Sequence, residues 1–316
     1  MKLLGLSSGR RMGNSEILLK EALMGAEELG VEVEILRLLD MDIQPCKLCA
    51  MNTCPWVMKA PEKCIIKDDA PFLWDKIMEC DGLIISAPVY TLTPPGHLKM
   101  VFDRGFGPKA DVVFKKMEKE QGVDVDERIF KSRVGAFISV GGAKYPNWVS
   151  LGLPILHTLT FSFQVAIVDQ MQVLRAADEG AVVLDEAALS RARKLGRHVA
   201  EAMGKPFEEV EYKGEETGTC PVCHNNLLIV GKETLVECAV CGVKGTIKVE
   251  GNKVFVDFPE EEQKKSRLTE EGLRIHVQEI AEVRGAYAPR RHEVPPKLEK
   301  YEKYKTPLKP PSKIKQ

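Results

Sequence analysis

The chain has 316 residues, 44% of them hydrophobic, which is enough for one large or two ordinary domains with a substantial core. Its formal net charge is −1, so no global field favours nucleic acid or an anionic membrane surface. No run of about 18 apolar residues offers a spanning helix, and the opening "MKLLGLSSGR" has too short an apolar run for a secretory leader; a cytoplasmic protein is expected.

"KLLGLSS" is a short apolar run, the form of a strand buried on both faces. "NSEILLKEALMGAEELG" repeats its apolar residues at helical spacing, and "VEVEILRLL" alternates as a strand. A β-loop-α-β opening implies a right-handed crossover and a parallel sheet. The alternation continues through helix 70–79, strand "GLIISAPV", helix 94–104, strand "RVGAFISVGG", helix 148–163, strand "VAIVDQMQVL" and helix 185–203. This predicts a doubly wound α/β domain over residues 1–204. Residues 105–132 are charged and longer than a usual connection, so they read as an insertion. After a charged linker, residues 219–258 form a small unit with paired cysteines and short strands. Residues 259–284 read as a charged amphipathic helix, and the Lys/Pro-rich end to residue 316 as a disordered tail or an arm on a partner subunit.

Eight of the nine cysteines fall in two clusters. In a reducing compartment such clusters are more often metal or redox groups than disulfides. The isolated Cys80 reads as an ordinary buried thiol. The loop 45–64 holds Cys46, Cys49, Cys54 and Cys64 in the spacing C-x2-C-x4-C-x9-C, a set able to hold one iron–sulfur cluster or one zinc ion, with free or redox thiols as the further alternative. The second cluster, Cys220, Cys223, Cys238 and Cys241, has two C-x2-C pairs fourteen residues apart. That spacing suits tetrahedral Zn²⁺ in a zinc ribbon, with a rubredoxin-like iron site as the rival. The ribbon lacks a basic, aromatic-interleaved face, so a scaffold role is expected and nucleic acid is not.

Three loops share the carboxyl edge of the predicted sheet, where open α/β sheets bind ligands. "GLSSGRRMGNS" offers Ser7, Ser8, Asn14 and Ser15 as donors, Arg10 and Arg11 as charge, and the start of a helix, which together suit a phosphate. "SAPVYTLTPPGHLKMVFDR" is stiffened by prolines and offers the flat ring of Tyr90; "SVGGAKYPN" offers Gly141 and Gly142. Together they suit a mononucleotide with a planar head.

With "SSGRRMGNS", "APVYTLTPPGHLKMVFDR" and "SVGG", the chain over residues 1–203 resembles the flavodoxin-like NAD(P)H-dependent FMN reductases. The resemblance implies that Ser7, Arg10, Asn14 and Ser15 bind the FMN phosphate. Pro88, Val89 and Tyr90 would line the isoalloxazine, with Gly141 and Gly142 on its other side. The first cysteine loop, followed by "CIIKDDA", resembles the iron–sulfur flavoproteins of anaerobes. That implies a [4Fe–4S] cluster near FMN and a homodimer or homotetramer.

The expectation is an oxidoreductase that takes electrons from NAD(P)H or a redox protein, and passes them on through FMN and the cluster. A non-enzymatic electron carrier and a scaffold acting through ribbon and tail are the alternatives. No catalytic side chain is assigned, because flavin chemistry needs no dedicated base. His97 reads as a capping or surface residue, His157 as a core histidine, and Asp68 and Asp69 as caps of the following helix.

Overall fold

The computed structural model describes residues 1–49, 54, 64–105, 110–215 and 218–305. Met1–Arg274 form one compact unit and Ile275–Gln316 a second.

In the first unit, strands β1 (Lys2–Ser7), β2 (Glu32–Arg37), β3 (Gly82–Pro88), β4 (Arg133–Val140) and β5 (Val165–Val173) form one sheet of order β2-β1-β3-β4-β5. Every neighbouring pair is parallel. This is the flavodoxin-like order, whose topological switch lies between β1 and β3. Helices α1 (Asn14–Glu27) and α6 (Glu186–Ala202) belong to one face, where Leu18, Leu19, Ile84, Val168 and Leu195 pack. Helices α2 (Ala70–Glu79), α3 (Gly96–Gly105) and α5 (Gly152–Thr160) supply the other, with Leu73, Ile77, Phe102, Phe137 and Leu156. β4 is buried at every position, as a central strand covered on both faces must be.

The 105–132 segment contains a helix, α4 (Val112–Glu120), capped by Asp111, whose carboxylate accepts from the backbone N–H groups of Val113 and Phe114. The expected helix 148–163 is shorter, because single turns of 3-10 helix at Pro146–Trp148 and Phe161–Phe163 flank α5. Cys80 is buried, and burial pushes its thiol up to about 11.

The ribbon is a four-stranded antiparallel sheet: β6 (Leu228–Val230), β7 (Leu235–Cys238), β8 (Lys244–Glu250) and β9 (Lys253–Asp257). Two helices follow where one was expected: a short α7 (Glu260–Gln263), then α8 (Glu270–Tyr287). The second unit continues with a 3-10 segment, Ala288–Glu293, and α9 (Val294–Glu302). The end of the expected Lys/Pro-rich tail, 306–316, lies outside the described residues. No described helix is long and apolar enough to cross a membrane.

Candidate functional site

β1 delivers its carboxyl end to the first loop, and α1 begins immediately after it. Gly13 occupies the N-cap position without a side-chain cap, so the first N–H groups of α1 keep their capacity for an anion. The Ser15 hydroxyl makes no hydrogen bond with any described residue. It lies over Gly9, where an added Cβ would come within 2.2 Å of Ser15 Oγ; glycine keeps this place open. Arg10 stands nearby and pairs with Glu179 at 3.5 Å, both side chains exposed.

These groups border a cavity of about 320 Å³, which Arg10, Gly13, Asn14 and Ser15 share with Pro88, Val89, Tyr90, Val140 and Gly142. All three loops singled out in the sequence therefore meet here. A fourth, with Ala176, Ala177 and Glu179 after β5, completes the wall. Sequence reasoning missed it, since two alanines and an acid carry no binding signature.

Not every expected residue faces the cavity in the expected way. Ser7 is buried at the end of β1, and its hydroxyl accepts from Gly9 N at 3.4 Å. The Asn14 carboxamide is committed elsewhere. Its Nδ2 donates to the carbonyls of Ala176 at 3.0 Å and Asp178 at 2.7 Å, and its Oδ1 accepts from Val182 N at 3.0 Å. Asn14 thus ties the first loop to the fourth. Gly141 is a packing position: an added Cβ would come within 2.2 Å of Val149 Cγ1. His97 Nε2 donates to the Ser8 carbonyl at 3.0 Å, so it braces the first loop.

The second loop is strained. Tyr90 and Thr93 pair across a turn whose central residues, Thr91 and Leu92, have φ of 51° and 73°. Glycine or asparagine usually fills such positions, because a side chain there costs roughly 1–2 kcal/mol per residue. The turn leaves the Tyr90 ring half exposed beside the cavity.

At the base of α1, Glu16 is fully buried against Arg37, with Nε–Oε2 2.6 Å, and beside Lys20 at 2.9 Å. The Arg37 hydrogen bond holds the Glu16 carboxyl at about 2.

The first cysteine loop is described at Cys46, Cys49, Cys54 and Cys64; most residues between Cys49 and Cys64 lie outside the described set. Cys49 is exposed and Cys46 half-buried, while Cys54 and Cys64 sit within the core of the α2, α3 and α5 face. The buried Arg104 donates to Cys64 Sγ at 3.5 Å and to Asp68, with Nη1–Oδ2 2.5 Å and Nη2–Oδ1 3.1 Å. Asp68 also accepts from Gln44 N and Ala70 N. Burial raises the Asp68 carboxyl, but Arg104 and the two backbone donors outweigh it and hold it below its usual value. Arg104 and Asp68 thereby clamp both ends of the cysteine loop.

The ribbon cysteines converge. Sγ atoms of Cys220, Cys223, Cys238 and Cys241 all lie within 4.8 Å of one another, and all four residues are buried. The Cys220–Cys241 and Cys223–Cys238 sulfurs are 3.4 Å apart. A tetrahedron with metal–sulfur bonds of about 2.3 Å has its sulfurs about 3.8 Å apart, so this set fits one ion. Hydrogen bonds from neighbouring thiols pull Cys220 and Cys238 down while pushing Cys223 and Cys241 up. Four sulfurs this close cannot all ionise without a cation among them. Among the described residues, Cys46, Cys49, Cys54 and Cys64 form no comparably close set. No disulfide joins any of the nine cysteines.

A sequence model of the family described as NADPH-dependent FMN reductase matches residues 1–153. The chain is 37% identical over 289 residues to the flavone synthase cfoJ of Aspergillus candidus, covering 89% of this chain and 88% of that one. It is 31% identical over 145 residues to an iron–sulfur flavoprotein of Methanosarcina thermophila, covering 46% of this chain and 65% of that one. A solved structure titled flavone reductase superposes with a TM-score of 0.81 at 29% identity, covering 98% of this chain and all (100%) of that one.

Proposed function

The chain belongs to the NADPH-dependent FMN reductase and iron–sulfur flavoprotein family and is an FMN-dependent oxidoreductase; from that premise we propose that it passes electrons from NAD(P)H or a redox protein to a flavone-like aromatic, or in the reverse direction. The two relatives named for flavones are named for opposite directions, a synthase and a reductase, so the direction is left to experiment.

One observation carries the assignment of the site: the cavity where four loops meet at the carboxyl edge of the sheet. Its chemistry fits FMN. The uncapped start of α1, the Ser15 hydroxyl and the Arg10 guanidinium offer three kinds of phosphate donor in one place. Pro88, Val89 and Tyr90 would line the isoalloxazine, with Gly142 on the opposite wall. Asn14 orders the fourth loop, and His97 fixes the first. Bound there, FMN supplies hydride and single-electron transfer.

We assign Cys46, Cys49, Cys54 and Cys64 to a [4Fe–4S] cluster, which supplies single-electron transfer. The relatives named iron–sulfur flavoproteins support this, as does the Arg104 donor on Cys64. Each thiolate of such a cluster binds its own iron, so the four sulfurs need not crowd round one point. We assign Cys220, Cys223, Cys238 and Cys241 to structural Zn²⁺.

The test is anaerobic titration of purified, FMN-reconstituted protein with NADPH, then NADH, followed by flavone. One FMN per chain, bleached by either nicotinamide, is the expected result; colour restored by flavone shows electrons running toward it, and colour not restored points to the reverse direction. Protein that binds no FMN would overturn the assignment of the site. Flavin that neither nicotinamide reduces would leave a redox protein as donor.

A further inference from the structure

We infer that a second site, walled by the ribbon, binds an uncharged aromatic ligand bearing hydroxyl or carbonyl groups; this rests on the oxidoreductase reading above for its ligand class and gives that class a binding site outside the flavin cavity. A cavity of about 510 Å³ lies between the segment after β4, strand β5 and the first knuckle of the ribbon. That is within the usual size range of small-molecule pockets, about 300–1,000 Å³.

The lining specifies the ligand. Val149 and Leu153 provide apolar surface from the sheet domain, and Leu227 provides it from the ribbon. Asn147, Gln172 and Asn226 supply polar edges. No Asp, Glu, Lys or Arg is among the described residues that line it. A dinucleotide, with its phosphate charges, would find no counter-charge here, in contrast to the first cavity with Arg10. A flat apolar body with neutral polar groups on its rim matches what is present.

Several of those edges still have hydrogen-bonding capacity. The Asn147 carboxamide, Asn225 Oδ1 and Asn226 Nδ2 have no partner among the described residues. Asn226 Oδ1 accepts from Thr219 N at 2.6 Å and from its hydroxyl at 2.8 Å, which fixes the amide. Donor and acceptor together suit a phenol and a ketone. Ser139 on β4 is in register with Gln172, which lines the cavity, and Ser139 Oγ is the buried side-chain polar atom left without a hydrogen bond among the described residues.

The site also borders the first cavity. Val149 lines the second and packs on Gly141, whose neighbour Gly142 lines the first. One loop therefore separates a ligand held against the ribbon from the place argued above for the planar head of FMN. The ribbon acquires a role in this arrangement: the knuckle that carries Cys220 and Cys223 carries Asn225, Asn226 and Leu227 as a wall.

Calorimetric titration of the FMN-loaded full chain with flavone is the test, comparing the parent with Leu227→Glu and Ser150→Trp. Leu227 and Ser150 are both partly exposed, so either change can be accommodated in a folded chain. The first puts an unpaired carboxylate in the wall and the second fills the cavity; each should weaken flavone binding about tenfold or more. FMN and zinc content, measured on the same samples, report whether fold and first site are intact. Parent protein that holds FMN but binds no flavone overturns the ligand class. Equal flavone affinity in all three proteins overturns the location. Parent protein that fails to hold FMN is titrated with flavone in the same way: binding there supports the second site and counts against the first alone, and no binding overturns the second.

Discussion

Gln170 Nε2 donates to the carbonyl of His224 at 2.8 Å, and Gln170 Oε1 accepts from His157 Nε2 at the same distance, 2.8 Å. One buried side chain on β5 thus joins a core helix of the sheet domain to the knuckle of the ribbon. The His224 ring stacks on Tyr212, with centroids 3.6 Å apart, which fixes the knuckle from its other side. Gln170→Leu would leave a buried imidazole and a carbonyl without partners. At about 1–3 kcal/mol for each of the two orphaned groups, the denaturation midpoint should fall by the equivalent of about 2–6 kcal/mol while metal content is retained. Unchanged stability would mean the ribbon is held by other contacts.

The same contact predicts an acid sensitivity. Burial lowers His157 from 6.5 to about 4, so the native core holds the neutral ring. The unfolded chain then binds the proton first, and stability is lost as pH falls from 6.5 toward 4. The full difference is about 3 kcal/mol for one residue. His157→Gln removes the titration and keeps a polar partner for Gln170. Denaturant midpoints at pH 7 and pH 5 should therefore diverge more in the parent than in the variant; parallel losses would exclude His157 as the source.

Asn14, Ser15 and Arg10 separate loop order from phosphate binding. Asn14→Ala removes three hydrogen bonds to the 176–182 segment, so it should destabilise the fold by about 2–4 kcal/mol and reduce FMN occupancy with it. Arg10→Ala, at an exposed side chain, should leave thermal stability within about 0.5 kcal/mol, and Ser15→Ala, which removes a buried hydroxyl that no described residue bonds, should cost no more than about 1 kcal/mol. Each should cost roughly 1.5–3 kcal/mol of FMN affinity, read as Kd by flavin fluorescence. A variant pair that keeps the parent Kd would place the phosphate elsewhere.

What could be read from the sequence followed the range of the interaction that carries it. β1, α1 and the three loops of the candidate site are signalled by local periodicity and by residue types that stand out in a short window. The ribbon is legible because two C-x2-C pairs encode directly a candidate ligand set, which the structure brings together. Helix α4 was missed inside a charged insertion, although Asp111 ahead of "VVFKKMEKE" is a usable capping signal. The Asn14 amide resembled a phosphate donor because nothing local reveals partners more than 160 residues away. The fourth loop, the Arg104–Asp68 clamp and the Gln170 link are set by the register of β5 and by loop closure, which no short window of sequence contains.

The two cysteine sets should part company under metal analysis. Cys220→Ser should lose about one ion per chain and melt the ribbon, because a unit this small has little core without its metal. Cys46→Ser should keep that ion. Anaerobically prepared parent protein should carry about four irons and four sulfides beyond it, and these should vanish in Cys46→Ser and Cys64→Ser. Arg104→Met discriminates further, because it removes the donor on Cys64 and leaves the buried Asp68 without its cation. A buried charge stripped of its partner costs about 3–5 kcal/mol, so the cysteine loop should loosen and iron should be lost even though no thiolate has changed. The double variant Arg104→Met with Asp68→Asn removes the stranded charge. It should regain much of the stability, and recovery of iron along with it would mean that Arg104 acts by closing the loop. Iron still missing from a stable double variant would mean that its hydrogen bond to Cys64 is itself required. Parent protein with no iron at all would make the loop a set of thiols on an FMN oxidoreductase, with the ribbon ion as its one metal.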